Sequence, residues 1–300
     1  MPIAALRTPD ERFADLPDFP WAPQYTDTLP GFEGLRMAFL DEGPRDGHVV
    51  LCLHGEPSWS FLYRKMIPVF LEAGHRVVAP DLFGFGRSDK PTEDATYSFD
   101  FHRRSLAALI AQLGLSQVTL VCQDWGGLLG LTLPVDHPDL VARLLVMNTA
   151  LGVGRDPGPG FLAWQDFVAN NPDFEVGRLM RNSVNGITEA AVAAYQAPFP
   201  DRAYMAGART FPLFVPTAPD HPGAALSRQA LDFWRNRWDG PTFMAIGMQD
   251  PVLGPPVMHA LRRAIRGCPE PMEVAEGGHF VQEHGAPVAR AALQAWGDLA

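Results

Sequence analysis

Cysteine is scarce in this chain: Cys52, Cys122 and Cys268 are the only three among 300 residues. An odd number, two of them inside apolar strand-like runs, argues for buried reduced thiols over a disulfide framework. Positive charge is short as well. Lys and Arg number 24 against 34 Asp and Glu, a formal net charge of −10, which leaves no basic surface for nucleic acid. No stretch approaches the ~18 apolar residues of a membrane span, and the first twenty residues, broken by acids and prolines, lack a signal-peptide core. A soluble, cytoplasmic protein without nucleic-acid or membrane partners is expected, and nothing in the pattern demands more than a monomer. Repeats, low-complexity tracts and runs of like charge are also missing.

What is present is apolar bulk, 47% of the residues, enough for a large core. Short apolar runs alternate with helical periodicity. Strands are expected at 35–40, 49–53, 76–79, 118–122, 144–147, 242–247 and 272–275. Helices are expected at 61–71, at 98–113, from the residue after Asp124 to about 137, around 228–234 and at 287–299. Strands that are nearly continuous in apolar character, separated by helices, imply a parallel α/β sheet. The alternation stops between 150 and 226, where prolines and glycines surround helical patches at 161–169 and 187–196. Such a length is too great for an ordinary connection. Residues 1–149 and 227–300 are therefore expected to form the core, with 150–226 inserted as a helical cap. Residues 1–24 read as an irregular lead-in packed across the body.

The organising stretch is Val118–Gly127, VTLVCQDWGG. A buried strand ends at Asp124 and is followed at once by Trp125, Gly126 and Gly127 and an apolar helical run. Strand, sharp turn through one polar residue, then a helix with small residues is the pattern of a nucleophile elbow, with Asp where Gly-x-Ser-x-Gly has Ser. The plain alternative for Asp124 is a helix N-cap. Partners decide between the two. Asp250 follows the strand at 242–247, and His279 follows the strand at 272–275 within Gly277-Gly278-His279. Functional groups collect at the carboxyl ends of parallel strands, and nucleophile, acid, histidine is the chain order of α/β-hydrolase triads. Asp250 would fix the imidazole tautomer, and His279 would serve as general base.

A carboxylate nucleophile can displace a leaving group from a saturated carbon and form an ester, which activated water then cleaves. That cleavage passes through an oxyanion. The elbow geometry offers the Trp125 N–H, and the loop after the strand at 49–53, where Glu56 stands, offers a second donor. The Gly84-Phe85-Gly86 loop is not a dinucleotide fingerprint, because Asp89 stands where a third glycine is needed. His279 and His284 lack metal-ligand spacing, so no zinc is expected.

Several segments together resemble the haloalkane dehalogenases of the α/β-hydrolase superfamily: His54-Gly55-Glu56-Pro57, Pro80–Asp89, Gln123–Gly127, Met244–Asp250 and Gly278–Glu283. The resemblance runs nearly end to end. It implies an α/β-hydrolase fold with a mostly parallel sheet and inserted helical cap, and an Asp-His-Asp triad of Asp124, His279 and Asp250. It further implies an oxyanion hole from Glu56 and Trp125, and halide binding by Trp125 together with Trp164 of the cap. Phe161, Phe211, Val215, Val252 and Leu253 match positions that line the substrate slot, while Leu128 stands where an aromatic is expected and would widen it. An indole N–H is a directed donor on an apolar body, suited to a halide beside an alkyl chain. The implied reaction converts a short haloalkane and water into a primary alcohol, halide and a proton, with no metal or organic cofactor. An epoxide hydrolase of the same fold would use cap tyrosines, for which Tyr195 and Tyr204 are available. A non-catalytic hydrolase-fold binder would need no triad.

Overall fold

In the computed structural model, which describes residues 3–299, eight strands form one sheet: β1 Gln24–Thr26, β2 Met37–Glu42, β3 Val49–Leu53, β4 Arg76–Pro80, β5 Val118–Cys122, β6 Val141–Met147, β7 Thr242–Gly247 and β8 Met272–Val274. Their spatial order is β8-β7-β6-β5-β3-β4-β2-β1. The pairs from β8 through to β4 are all parallel, and β1 and β2 join at one side as antiparallel strands. All five residues of β5 are buried, as are the last four of β3 and of β4. That is why these strands read as continuous apolar runs: helices cover both faces and no side turns to water.

Among the described residues ten α-helices accompany the sheet: α1 Ile67–Glu72, α2 Phe99–Gln112, α3 Trp125–Gly130, α4 Pro159–Asn170, α5 Val176–Ser183, α6 Glu189–Gln196, α7 Ala206–Thr210, α8 Pro222–Asp232, α9 Pro255–Ala264 and α10 Gly285–Trp296. Local signals explain their ends. Ser98 caps α2 by accepting from the Phe101 N–H at 3.1 Å, and Gly114 stops it with φ of +62°. The helix expected at 61–71 is split into a 3-10 turn at Ser60–Tyr63 and α1, where Pro68 suits a first turn. The helix after Asp124 ends at Gly130 rather than near 137. A 3-10 turn containing Pro134 replaces its second half.

Helices α4 to α8 occupy the excursion between β6 and β7. The boundary expected at 227 falls within α8, which runs unbroken from Pro222 to Asp232. The lead-in is stitched to the end of α6: Thr8 Oγ1 donates to the Pro198 carbonyl at 2.8 Å and Arg12 Nε to that of Ala197 at 2.9 Å. Phe13 and Phe19 pack edge-on against Trp59, at 5.4 and 5.5 Å between centroids.

A second joint holds α6 to the sheet-bearing body. Arg64 and Glu283, each with a side chain only 4% exposed, form a two-pronged pair with both N–O distances 2.7 Å. The Tyr195 hydroxyl of α6 donates to Glu283 Oε1 at 2.6 Å. Burial alone would lift the Glu283 carboxyl, but Arg64, Tyr195 and Lys65 outweigh it and hold the group below its ordinary range. This contribution is present above the unfolded carboxyl value of about 4.3 and is lost as pH falls below it. Replacing Glu283 with Gln strands a buried guanidinium, so urea titration at neutral pH should show a loss of about 3–5 kcal/mol. The deficit should shrink towards pH 3, and a variant as stable as wild type at pH 7 would contradict it.

Candidate active site

Strands β5, β6, β7 and β8 lie side by side, so the residues just past their carboxyl ends meet at one place: Asp124, Asn148, Asp250 and His279. Asp124 adopts φ of +50° and ψ of −124°, a conformation that non-glycine residues rarely take. Its turn is permitted by the residues around it. A Cβ on Gly126 would overlap the Leu53 carbonyl oxygen at the end of β3, and one on Gly55 would overlap the Asp124 side chain. The Asp124 N–H donates to the Asn148 carbonyl at 2.9 Å, and Thr149 Oγ1 donates to the Asp124 carbonyl at 2.7 Å. Asp124 precedes α3 but its side chain makes no capping hydrogen bond. It projects instead into a cavity.

Because β3 neighbours β5, with Leu53 opposite Cys122, the loop after β3 reaches the same carboxylate. The Glu56 N–H donates to Asp124 Oδ1 at 2.8 Å, and the Trp125 N–H also acts on the carboxylate. Asp124 Oδ2 faces His279 Nε2 at 3.6 Å. Burial raises the Asp124 carboxyl above its usual range, against the opposing pull of His279 and the two backbone N–H groups.

His279 Nδ1 lies 2.9 Å from Asp250 Oδ2. Asp250 is held at every oxygen: Asn148 Nδ2 donates to Oδ2 at 2.9 Å, and the N–H groups of Val252 and Leu253 donate to Oδ1 at 2.8 and 3.1 Å. Burial would raise this carboxyl, yet His279, Asn148 and Val252 bring it down to about 2. Burial likewise opposes the charged imidazole. The charges of Asp250 and Asp124 prevail and carry His279 up to about 9.

Two contributors were not singled out from the sequence. Asn148 orients Asp250 and also accepts the Gly247 N–H at 2.8 Å. Its signal was a polar residue directly after an apolar strand. Gln123 Nε2 lies 3.0 Å from His279 Nε2 and 3.1 Å from the His279 carbonyl. The Gln123 side chain thus lies against the imidazole on its Nε2 side and holds the His279 backbone in place.

The cavity has a volume of about 1380 Å³. Asp124, His279, Asp250, Glu56, Trp125 and Leu128 form its floor on the sheet side. Phe161 and Trp164 of α4, Val215, Val252 and Leu253 form its walls. The sequence also placed Phe211 on this wall, which the structure corrects: Phe211 is fully buried and absent from the lining, its ring 4.7 Å behind that of Trp125 and 4.6 Å from Phe85. It backs the indole rather than touching the cavity. Tyr195 and Tyr204 do not line it either, and the Tyr195 hydroxyl is spent on Glu283.

Where the cavity meets solvent the lining turns polar, with exposed Arg155, Asp156, Glu175 and Arg178. Among the described residues no group of His, Cys, Asp and Glu could hold a metal ion, and no helix is long and apolar enough to cross a membrane.

Comparisons with known proteins agree with this geometry. A model of the α/β-hydrolase fold family matches residues 48–286. A haloalkane dehalogenase of Psychrobacter cryohalolentis is 46% identical over 96% of this chain and 97% of its own length. One of Mycolicibacterium paratuberculosis is 42% identical over 97% of each. The solved tetrameric haloalkane dehalogenase of Paraglaciecola agarilytica NO2 superposes with a TM-score of 0.96 at 52% identity, covering 97% of this chain and 98% of that one. On these matches, together with a sheet that delivers carboxylate, acid and histidine to one cavity, the chain belongs to the haloalkane dehalogenases of the α/β-hydrolase fold family.

Proposed function

We propose that Asp124 is the nucleophile of this dehalogenase and that His279, supported by Asp250, is the base that frees it. One observation carries the reading: one carboxylate oxygen of Asp124 is pinned by a backbone N–H while the other faces both the cavity and His279 Nε2. The pinned oxygen is oriented and the free one retains its lone pairs. A carboxylate drawn out of bulk water is also the better nucleophile, since less hydration must be shed on attack.

Asp124 Oδ2 forms a bond to the halogen-bearing carbon, and the halide leaves with the bonding electrons. The Trp125 and Trp164 indole N–H groups meet the departing anion. Water on the His279 side then attacks the ester carbonyl carbon as Nε2 takes its proton. The tetrahedral oxyanion, on Oδ1, is held by the N–H groups of Glu56 and Trp125. Collapse returns the carboxylate and releases the alcohol, and the proton leaves His279 for solvent. Balance is kept: haloalkane plus water gives alcohol, halide and a proton.

The apolar inner lining favours a short alkyl chain and a primary alcohol product. Residues from about 150 to the start of α8 serve as the cap over it. No metal or organic cofactor enters any step. The monomer expected from the sequence fits poorly with a tetrameric structural neighbour, and we take self-association as the working assumption, to be read by light scattering on the purified chain.

Three measurements test the assignments. Single turnover of 1-bromobutane in ¹⁸O-water should place label in the Asp124 carboxyl, and an unlabelled side chain with normal product formation would remove Asp124 from the role. His279→Gln should release about one bromide per enzyme and stall as the ester, whereas sustained turnover would exclude His279 as base. The third is pH dependence. In the free enzyme His279 is protonated below about 9, partly through the Asp124 charge. Ester formation removes that charge, so the imidazole of the intermediate gives up its proton at lower pH. Rapid-quench assays on falling pH should show the bromide burst persisting after steady-state turnover has collapsed.

A further inference from the structure

The Glu56 side chain has no part in the steps above, which use only its backbone N–H. Yet it sits in the cavity wall beside Asp124, 6% exposed, with Oε1 buried and without a hydrogen-bond partner. The groups that act on it come from two sides. Asp124 at the end of β5 bears charge of the same sign, while Trp164 of α4 lines the same cavity and its indole favours the carboxylate form. His279 stands on the far side of Asp124. Arg155, Asp156, Glu175 and Arg178 lie exposed at the mouth, where solvent screens them.

A buried carboxylate next to another carboxylate, without a cation against it, is an unfavourable state, and the group keeps its proton instead. Burial and the Asp124 charge together push the Glu56 carboxyl well above its ordinary value. The reaction does not relieve this pressure. When Asp124 becomes a neutral ester, a halide anion appears in the same cavity.

We propose that the Glu56 carboxyl is a positioning residue for Trp164 and sets the halide affinity of the site: protonated, it leaves the Trp164 indole N–H free to turn to the halide, and ionised, it captures that N–H and repels the anion. The inference rests on the reading of Trp125 and Trp164 as the halide ligands. It assigns to the side chain a control over halide retention that is separate from the oxyanion role of its backbone. Glu56→Gln keeps that backbone N–H, the side-chain volume and a neutral polar head, but cannot ionise.

Bromide binding, followed by calorimetry with sodium bromide between pH 6 and 10, tests it. Because His279 also titrates, the comparison is made in the His279→Gln background. There the bromide Kd should rise about tenfold per pH unit above the ionisation of Glu56, while His279→Gln/Glu56→Gln should show a flat Kd equal to the low-pH value. A flat profile in the single variant, or an unchanged slope in the double variant, overturns the proposal. Trp164→Phe separates this from failure of the underlying reading. If bromide binding is indifferent to Trp164→Phe, the indole is not a halide ligand and both fall. If Trp164→Phe weakens binding while the slope survives Glu56→Gln, only the role of Glu56 is lost.

Discussion

An anionic carboxyl group held away from bulk water at the end of β5 is the constraint that the surrounding structure answers. Left alone, such a group would take up a proton and become inert. Donors are arranged on one of its oxygens by the neighbouring strand, and an imidazole approaches the other from three strands away. That imidazole can be cationic in the resting site because Asp250 stands behind it, tied down by Asn148 and two backbone N–H groups. Charge thus alternates through the site: carboxylate, imidazolium, carboxylate. Each member owes its protonation state to the next, and each is delivered by a separate strand of one rigid sheet.

The sheet, and the meeting of Asp124, Asp250 and His279 at its carboxyl edge, were legible in the sequence for connected reasons. Strands covered on both faces cannot hide their composition, so β3, β4 and β5 stand out as apolar runs. The polar residue that breaks such a run at its carboxyl end is conspicuous, as Asp124 is. The same logic exposes Asp250 and His279. Asn148 obeys it too, directly after Met147 of β6, and went unremarked because an amide has no reactive chemistry of its own. Its importance lies in what it orients.

Other features were hidden because their signal is contextual. α9 begins with Pro255 and Pro256, which read as loop by composition yet suit the first turn of a helix. α5 is only eight residues long and carries a glycine and an asparagine among stronger helix formers, too short a stretch to stand out as a helix without its packing. Phe211 and the cavity-lining Phe161 are indistinguishable in one dimension. Only the fold decides that Phe161 faces the cavity while Phe211 supports an indole from behind. The two tyrosines that could have served an epoxide-opening chemistry illustrate the same point, since residue type without direction does not define a site.

The Arg64–Glu283–Tyr195 joint has a consequence for how motion passes through the molecule. Glu283 lies in the 3-10 turn that begins just after His279 and Phe280, and Tyr195 belongs to α6. Asp124, by contrast, is anchored only within the body, through Asn148 and Thr149. A displacement of α6 would therefore reach the segment that bears His279 directly, and Asp124 only through the body. The joint thus ties the segment between β6 and β7 to one of the two groups that meet at the cavity floor and not to the other.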